Sequence, residues 1–460
     1  MPDMHDSGVG AVDALIPYTA QGGPGQAPHL AFYHPPDPNM FPSEISSLIN
    51  HYLNNVRPMQ YFFADGWIDS TILQFASDEP IVRDSICLVA SVHKRRWRDS
   101  ESPPAKMRLI PLPDGDDTEA KTEHIRSRLM DAFSKVKDNV TPAAALAGLQ
   151  CVSSFLFAGG KGEWDKFLQI ACKWVEGCLT PAHRPIDGYK GILSRLDTLS
   201  HFTVKATMWF EVLASVTKIK TPKFMDVYDD VFERRIEMMD EDFYDRTPLS
   251  MLDVMGCDDM SFLAIAKISE LAAWKESCVK DGTLDVTELV EKGSEIRGRY
   301  LFSSRTEGSF GLSTRFNYRH DGNFEDDLNN RKQLTSDIFR AAAELYLNTV
   351  IHGDKPTVRK ISDSVAKTLR ALECIPEEPL RLRESVIRSV VFPICIAGCM
   401  TDNAEYRKKL LSMLQGTQGA GNCSAVAQVM QSVWDKRDSQ PKAEVGWRQV
   451  LRKNGALLLV

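Results

Sequence analysis

The stretch that most limits what this chain can fold into is Ser389–Met400, S-V-V-F-P-I-C-I-A-G-C-M. Its apolar residues fall on every side of any helix drawn through Pro393, so it belongs in the middle of a packed domain and not on its surface. A bilayer takes roughly 20 consecutive apolar residues, and this run is too short: Arg383, Glu384 and Arg388 bound it on one side and Asp402, Glu405 and Arg407 on the other. Pro393 lacks an N–H and predicts a kink in the helix. Beyond it the pattern predicts a charged helix over Ala404–Leu414, a Gly-rich break over Gly416–Gly421 and a second helix over Ser424–Trp434. The ending, W-R-Q-V-L-R-K-N-G-A-L-L-L-V, keeps the aromatic anchors Trp434 and Trp447 close to the last residue.

A wholly apolar central helix needs a large domain around it. With 460 residues and 43% hydrophobic content there is ample material for one, and a length that allows about three domains does not require them. The formal net charge of -7 argues against bulk attraction to nucleic acid, because phosphate binding needs a positive face. No apolar leader follows Met1, so neither secretion nor membrane insertion is indicated. Ten cysteines, Cys87, Cys151, Cys172, Cys178, Cys257, Cys278, Cys374, Cys395, Cys399 and Cys423, are scattered mostly among apolar neighbours. That usage fits reduced, buried thiols of a cytosolic or nuclear protein.

Residues 1–40, rich in Gly, Pro and short polar residues, carry too little apolar material to offset their ordering entropy and are expected to be mobile. From Phe41 onward the period becomes helical, with Ile45, Leu48, Ile49, Tyr52 and Leu53 following a Pro42–Ser43 start. A loop and helix through Trp67, Ile72 and Phe75 lead to an apolar helix over Ile81–Val92 that ends in H-K-R-R-W-R. The cluster Lys94, Arg95, Arg96 and Arg98 can be read as a nuclear-import or phosphate patch; the plainer reading is a solvated helix end, where cations suit the dipole.

Residues 99–118 read as an exposed insertion, with Leu109, Ile110 and Leu112 as one possible edge strand. Helices are expected over Glu119–Val136 and Pro142–Phe157, then a turn at Ala158–Glu163 and a stripe of Trp164, Phe167, Ile170, Ala171 and Trp174. Val204, Met208, Val212, Val216 and Ile219 mark a helix that stops before Pro222. Asp226–Asp245 reads as an exposed helix or ordered loop. Phe262, Ile265, Ile268, Leu271 and Ala272 mark the next buried helix, and residues 302–332 a polar flexible linker. Two more helices carry Phe339, Ala343, Tyr346, Leu347 and Val350, then Val358, Ile361, Val365, Leu369 and Leu372. The expected architecture is all-α: an irregular array of a dozen or more helices over 41–460 behind a mobile N-terminal segment, without the strict period of a solenoid.

An apolar helix with F-P-x-x-x-A-G, a D-N-A-E-Y-R helix, a Trp-bearing helix and a terminal W-x-x-V with an apolar tail together resemble the C-terminal region of the fungal-specific transcription factor domain. This is the regulatory domain of fungal zinc-cluster transcription factors. The resemblance extends back through H-Y-L-N-N-V, S-I-C-L-V-A-S-V-H, G-K-G-E-W-D-K-F-L-Q-I-A, A-T-M-W-F-E-V-L-A-S-V-T-K-I-K-T-P and R-A-A-A-E-L-Y-L-N-T-V-I-H-G-D-K-P, and so covers about 41–460. Where the family usually places an aspartate or similar polar residue, this chain has Glu211 or Val212. The resemblance implies a nuclear, all-helical module that controls activity, helps dimerisation (with itself or a relative) and contacts the transcription machinery. It also implies a switch of helix packing biased by a partner, a modification or a small effector.

DNA-binding members carry a six-cysteine zinc cluster with two C-x-x-C pairs upstream, and this sequence contains no C-x-x-C. Any zinc is therefore expected only in an upstream cluster, and DNA contact only through a module this chain lacks. The chain reads as a fragment, as a product whose start is placed late, or as a relative without its own DNA contact.

No catalytic residue, no metal site and no cofactor follows from the residue pattern. No two histidines lie within four residues of each other, which removes helical H-E-x-x-H sites. Cys395 and Cys399 share a helix face, but a zinc site needs further ligands. Ala158–Gly162 lacks phosphate-loop spacing and follows a helix, and the carboxylates of Asp321–Asp327 lack the glycine and glutamate of a calcium loop. There is no G-x-S-x-G elbow. The leading expectation is a non-enzymatic regulatory domain. Its alternatives are a scaffold that assembles a complex without DNA contact, and an all-helical enzyme such as a terpenoid synthase, for which Asp258–Met260 is too short a motif. A bundle of this size can also enclose an apolar pocket lined by aromatic residues for a small-molecule effector, though the pattern does not say which residues.

Overall fold

Pro393 decides where the central helix begins. Its ring clashes with the carbonyl four residues earlier, and that carbonyl belongs to Ser389, where the helix Leu380–Ser389 ends. A new helix, Val391–Cys399, starts across Val390, so that Pro393 lies in its first turn, where a missing N–H costs nothing. The expected kink is thus a break between two helices. Every residue of Val391–Cys399 is buried.

The computed structural model describes residues 41–64, 66–101, 116–136, 140–180, 187–233, 249–301, 324–377, 379–417, 421–440, 445–453, 455 and 457–460. Among these the protein is all-α, with no strand. In chain order the helices are α1 (Ser43–His51), α2 (Arg57–Gln60), α3 (Trp67–Asp78), α4 (Pro80–Glu101), α5 (Asp116–Lys135), α6 (Pro142–Phe157), α7 (Trp164–Leu179), α8 (Gly188–Leu193), α9 (Thr198–Lys218) and α10 (Met225–Tyr228). They continue as α11 (Leu252–Met255), α12 (Asp259–Asp281), α13 (Val286–Ile296), α14 (Phe324–His352), α15 (Arg359–Glu373), α16 (Leu380–Ser389), α17 (Val391–Cys399), α18 (Ala404–Gln415), α19 (Cys423–Ser439) and α20 (Trp447–Lys453). Single π-helical turns occupy Tyr52–Val56, Asp229–Glu233 and Arg297–Leu301.

Two stacks share one core. In the first, α4 packs on α1, α3, α5 and α6, and α6 packs on α7 and α9; in the second, α14 packs on α12, α15 and α17, and α17 on α19. The bridge is α9, which touches α6 and α7 on one side and α11, α12 and α20 on the other. Its sequence suits that position, since Phe202, Val204, Met208, Trp209, Phe210, Val212 and Val216 are all buried. Asp197 caps its start by accepting from the Leu199 and Ser200 amides, as short polar side chains do at N-caps. Asp258 does the same for α12, accepting from the Ser261 amide and pairing with Arg340 of α14.

Several boundaries differ from the sequence expectation. Helix α4 runs to Glu101 and α5 starts at Asp116, so the ends of the 99–118 insertion are helical; the strand expected at 109–112 lies outside the described residues. Helix α14 begins at Phe324, which makes 324–332 helical although the composition suggests linker. Apolar residues are few there, and the buried Lys332 pairs with Asp253 at 2.9 Å, so charge and not an apolar stripe ties this part of α14 to α11. Residues 1–40, 302–323 and 234–248 lie outside the described residues.

Candidate functional site

Tyr52 begins a π-helical turn between α1 and α2, and this turn sets up an interconnected polar group that is largely buried. Tyr52 Oη donates to Gln60 Oε1 at 3.0 Å and accepts from Gln150 Nε2 at 3.0 Å. Gln60 Nε2 in turn lies 2.9 Å from Gln150 Oε1, 2.6 Å from Ser153 Oγ and 3.1 Å from Tyr61 Oη. Burial raises the Tyr52 phenol well above its ordinary range, so it stays protonated and able to donate. Buried polar groups are costly unless each finds a partner; here three segments meet those demands together, which fixes where the following residues, Met59 to Phe63, point.

The opposite wall is the last described segment of the chain. Leu457, Leu458 and Leu459 are fully buried. Leu458 N–H donates to the Gly160 carbonyl at 3.3 Å, while Asn422 Nδ2 donates to the Leu458 carbonyl at 2.8 Å and the Val460 carbonyl at 3.1 Å. Gly160 has φ +77, and a Cβ there would come within 2.6 Å of Leu457 Cδ1 and 2.8 Å of Asn422 Cβ. The A-G-G-K-G turn is therefore the seat of the tail, and only glycine allows so close an approach in the left-handed region.

Between these walls lies a cavity of about 90 Å³ lined by residues from well-separated parts of the chain. Met59, Phe62, Phe63, Trp209, Phe210 and Met255 make most of its apolar surface, and Gln60, Ser153, Arg388 and Asn422 its polar groups. The Arg388 guanidinium is mostly buried, 3.6 Å from Glu384 of its own helix, and one of its N–H groups lies 3.2 Å from the Met59 thioether. Phe157, on the same cavity, makes an edge contact with His93 at 5.4 Å between centroids. His93 Nδ1 and His51 Nε2 are 3.0 Å apart. Burial, His51 and Arg388 push His93 down to about 4, and burial and Lys94 also lower His51. Both rings are thus neutral near pH 7, one donating to the other. A larger cavity of about 370 Å³ lies between α18 and α19, lined by surface side chains such as Gln415, Thr417 and Gln428 beside residues 418–420, which are outside the described set. The smaller cavity is the better candidate because its walls come from separate segments of the chain and include the buried Phe63, Trp209, Phe210 and Met255.

Residues singled out in the sequence have other placements. Cys395 and Cys399 are both fully buried in α17, and the hydrogen bond that Cys399 makes to Cys395, together with burial, raises the Cys399 thiol. All ten cysteines are free, and among the described residues no group of three or more His, Cys, Asp or Glu is arranged to hold a metal ion. No helix among them is long and apolar enough to cross a membrane. Of the basic cluster, Arg96 donates to the Ala158 carbonyl at the end of α6 and Arg95 pairs with Glu119; the Arg98 side chain lies outside the described residues. Asp321 and the side chains of Glu325, Asp326 and Asp327 likewise lie outside. The sequence allowed for a pocket lined by aromatic residues but placed none of its residues. Arg388 reads there as the polar border of an apolar run, Gln60 and Gln150 as ordinary polar positions, and His51 and His93 as unrelated residues 42 positions apart. The available signal was the uncommon pair of buried-face glutamines at helical spacing from apolar residues.

An all-helical array of two stacks joined through α9, with a cavity bordered by the last described residues of the chain, is the class of domain that the fold and cavity define. The chain belongs to the fungal specific transcription factor domain family, whose model matches residues 47–460. The transcription factor dibT of Pestalotiopsis microspora is 28% identical over 256 residues, 52% of this chain and 37% of that protein. The trichothecene biosynthesis transcription regulator TRI10 of Trichoderma arundinaceum is 27% identical over 216 residues, 46% of this chain and 45% of that protein. The pestheic acid cluster transcriptional regulator 3 of Pestalotiopsis fici is 20% identical over 463 residues, 89% of this chain and 74% of that protein. For the first two of these relatives the chain spans less than half their length. No solved structure matches.

Proposed function

We propose that residues 41–460 act as one non-enzymatic regulatory domain of a fungal transcription factor, working in the nucleus. It sets transcriptional output through contacts with a second copy or a related chain and with the transcription machinery. Its state changes by a shift of helix packing that a small effector can bias. DNA is reached only through a module outside this sequence, which would also hold any zinc. The family match across nearly the whole chain carries the reading, and the names of the relatives, all transcription factors or regulators of transcription, support it. The central cavity supports the effector part, since its wall joins α2, α6, α9, α11, α16 and the last described residues, so that filling it can bias how they pack.

The test fuses the chain to an unrelated DNA-binding domain in a fungal host carrying a matching reporter. A regulatory domain changes reporter output by severalfold relative to the DNA-binding domain alone. A fusion that is expressed, folded and nuclear yet leaves output unchanged rejects the reading and favours a scaffold role.

A further inference from the structure

We propose that the central cavity is a binding site for a compact aromatic carboxylate, with the Arg388 guanidinium as the anion partner and Met59 as the side chain that yields on binding. The inference deepens the effector reading above and rests on it for its biological meaning. Three observations carry it. First, Phe62, Phe63 and Trp209 give the cavity flat, apolar walls, and such surfaces favour a ring placed offset or edge-on against them. Second, the cavity also contains a cation. Arg388 lies on the lining, and one N–H of its guanidinium meets the sulfur of Met59. A thioether is a weak acceptor, whereas a carboxylate accepts from guanidinium in short, charge-assisted bonds about twice as strong as neutral ones. The sulfur therefore occupies a position where a ligand oxygen would bind better. Glu384, 3.6 Å away on the same helix, holds the guanidinium in place without filling the cavity, as it is not part of the lining.

Third, the size matches a site that opens around its ligand. About 90 Å³ is less than the roughly 150 Å³ of an apolar cavity that takes up benzene, so a substituted ring needs more room than the cavity offers. Met59 sits on the short helix that follows the π-helical turn. Methionine has three rotatable bonds and repacks at little cost, and π turns are frequent at functional positions. A ring that enters displaces the Met59 side chain and takes over its contact with Arg388. A cationic or purely hydrocarbon ligand is disfavoured, the first by Arg388 and the second because, once it displaces Met59, it offers no acceptor to the one N–H that now meets the sulfur.

The probes are benzoate and benzamide, which share shape and size and differ in charge, titrated into the full chain and followed by ligand-observed NMR and by thermal shift. Benzoate is expected to bind at least tenfold more tightly than benzamide. Met59→Ala is expected to tighten benzoate severalfold by removing the side chain that must move, and Arg388→Gln to erase the difference between the two probes. If Arg388→Gln does not fold, Met59→Ala and the probe comparison still decide. Equal binding of the two probes, absence of benzoate binding, or Met59→Ala that leaves or weakens it, overturns the proposal. Benzoate binding that behaves as expected but leaves the reporter fusion unaffected keeps the site and rejects the effector reading, so the two failures are separable.

Discussion

Glu211 shows how one residue can make this fold sensitive to pH. Its Oε1 accepts the Lys223 amide at 2.9 Å, which closes the loop after α9, while Oε2 is buried without a hydrogen-bond partner. Burial pushes the carboxyl up from 4.5 to about 7, against the opposing pull of the Lys223 amide and of the Lys223 and Lys218 charges. A carboxyl whose pKa is raised by folding binds its proton more tightly in the folded state. Between pH 4.5 and 7 the folded state therefore holds more protons than the unfolded one, and stability falls as pH rises through that window. The loss attributable to Glu211 is roughly 3 kcal/mol by pH 7 and is constant above it. Glu211→Gln keeps an acceptor for Lys223 and removes the charge, so urea titrations at pH 5 and pH 8 are expected to give nearly equal stabilities for the variant at this site, and a higher value than the parent at pH 8. An unaltered pH slope would place the proton elsewhere. Trp174, 6% exposed in the stripe of α7, makes a simpler case: Trp174→Ala is expected to cost about 3–5 kcal/mol through lost burial and the cavity left behind. Unchanged thermal stability would show that the face assigned to the core is wrong.

At the scale of elements, the crossing of α6 and α7 depends on Gly148. A Cβ there would lie 2.8 Å from the Phe167 carbonyl oxygen, a backbone atom that cannot move unless α7 moves. Gly148→Ala gains helix propensity, worth up to about 1 kcal/mol, but forces the two helices apart, with a cost of about 1–3 kcal/mol typical of overpacking. A net fall in melting temperature is expected, and a rise would mean that the crossing is loose. The sequence revealed such helices well where one face is apolar: the stripe of α7, the i, i+4 ladder of α9 from Val204 to Val216 and the wholly apolar α17 appear where the pattern put them, while Ile219, read as the last rung of α9, is instead its left-handed C-cap. It was less informative where charge rather than apolar periodicity holds a helix, as at the start of α14, and where proline acts on the preceding helix rather than its own, as at Pro393. The candidate site was almost illegible, because what makes it is the meeting of Met59, Trp209, Arg388 and Asn422, and no local period encodes a contact between residues so far apart in the chain. Aromatic lining could be expected in general from composition; which rings, and which cation, follow only from packing.

For the whole molecule, the decisive contact is the one that closes the array. Helix α20 lies on α9, and the residues after it run to the A-G-G-K-G turn between α6 and α7, so the end of the described chain is packed against its first half. Two kinds of interaction hold it: three leucines fully removed from water, and the Asn422 amide that satisfies the Leu458 and Val460 carbonyls. They predict different failures. Removing the amide in Asn422→Ala strips two carbonyls of their donor, at a cost of about 1–3 kcal/mol each if left unsatisfied, yet leaves the leucines seated. The urea midpoint is therefore expected to fall while the slope, which reports the surface exposed on unfolding, stays as in the parent. Leu458→Asp instead puts a carboxylate where no water reaches and is expected to release the tail from the folded state. The native state then already exposes part of what unfolding would expose, so both midpoint and slope fall, and the cavity beside Asn422 and Val460 loses a wall. If Asn422→Ala also lowers the slope, the amide, not the leucines, keeps the tail in place, and the closure of the two stacks rests on a pair of hydrogen bonds.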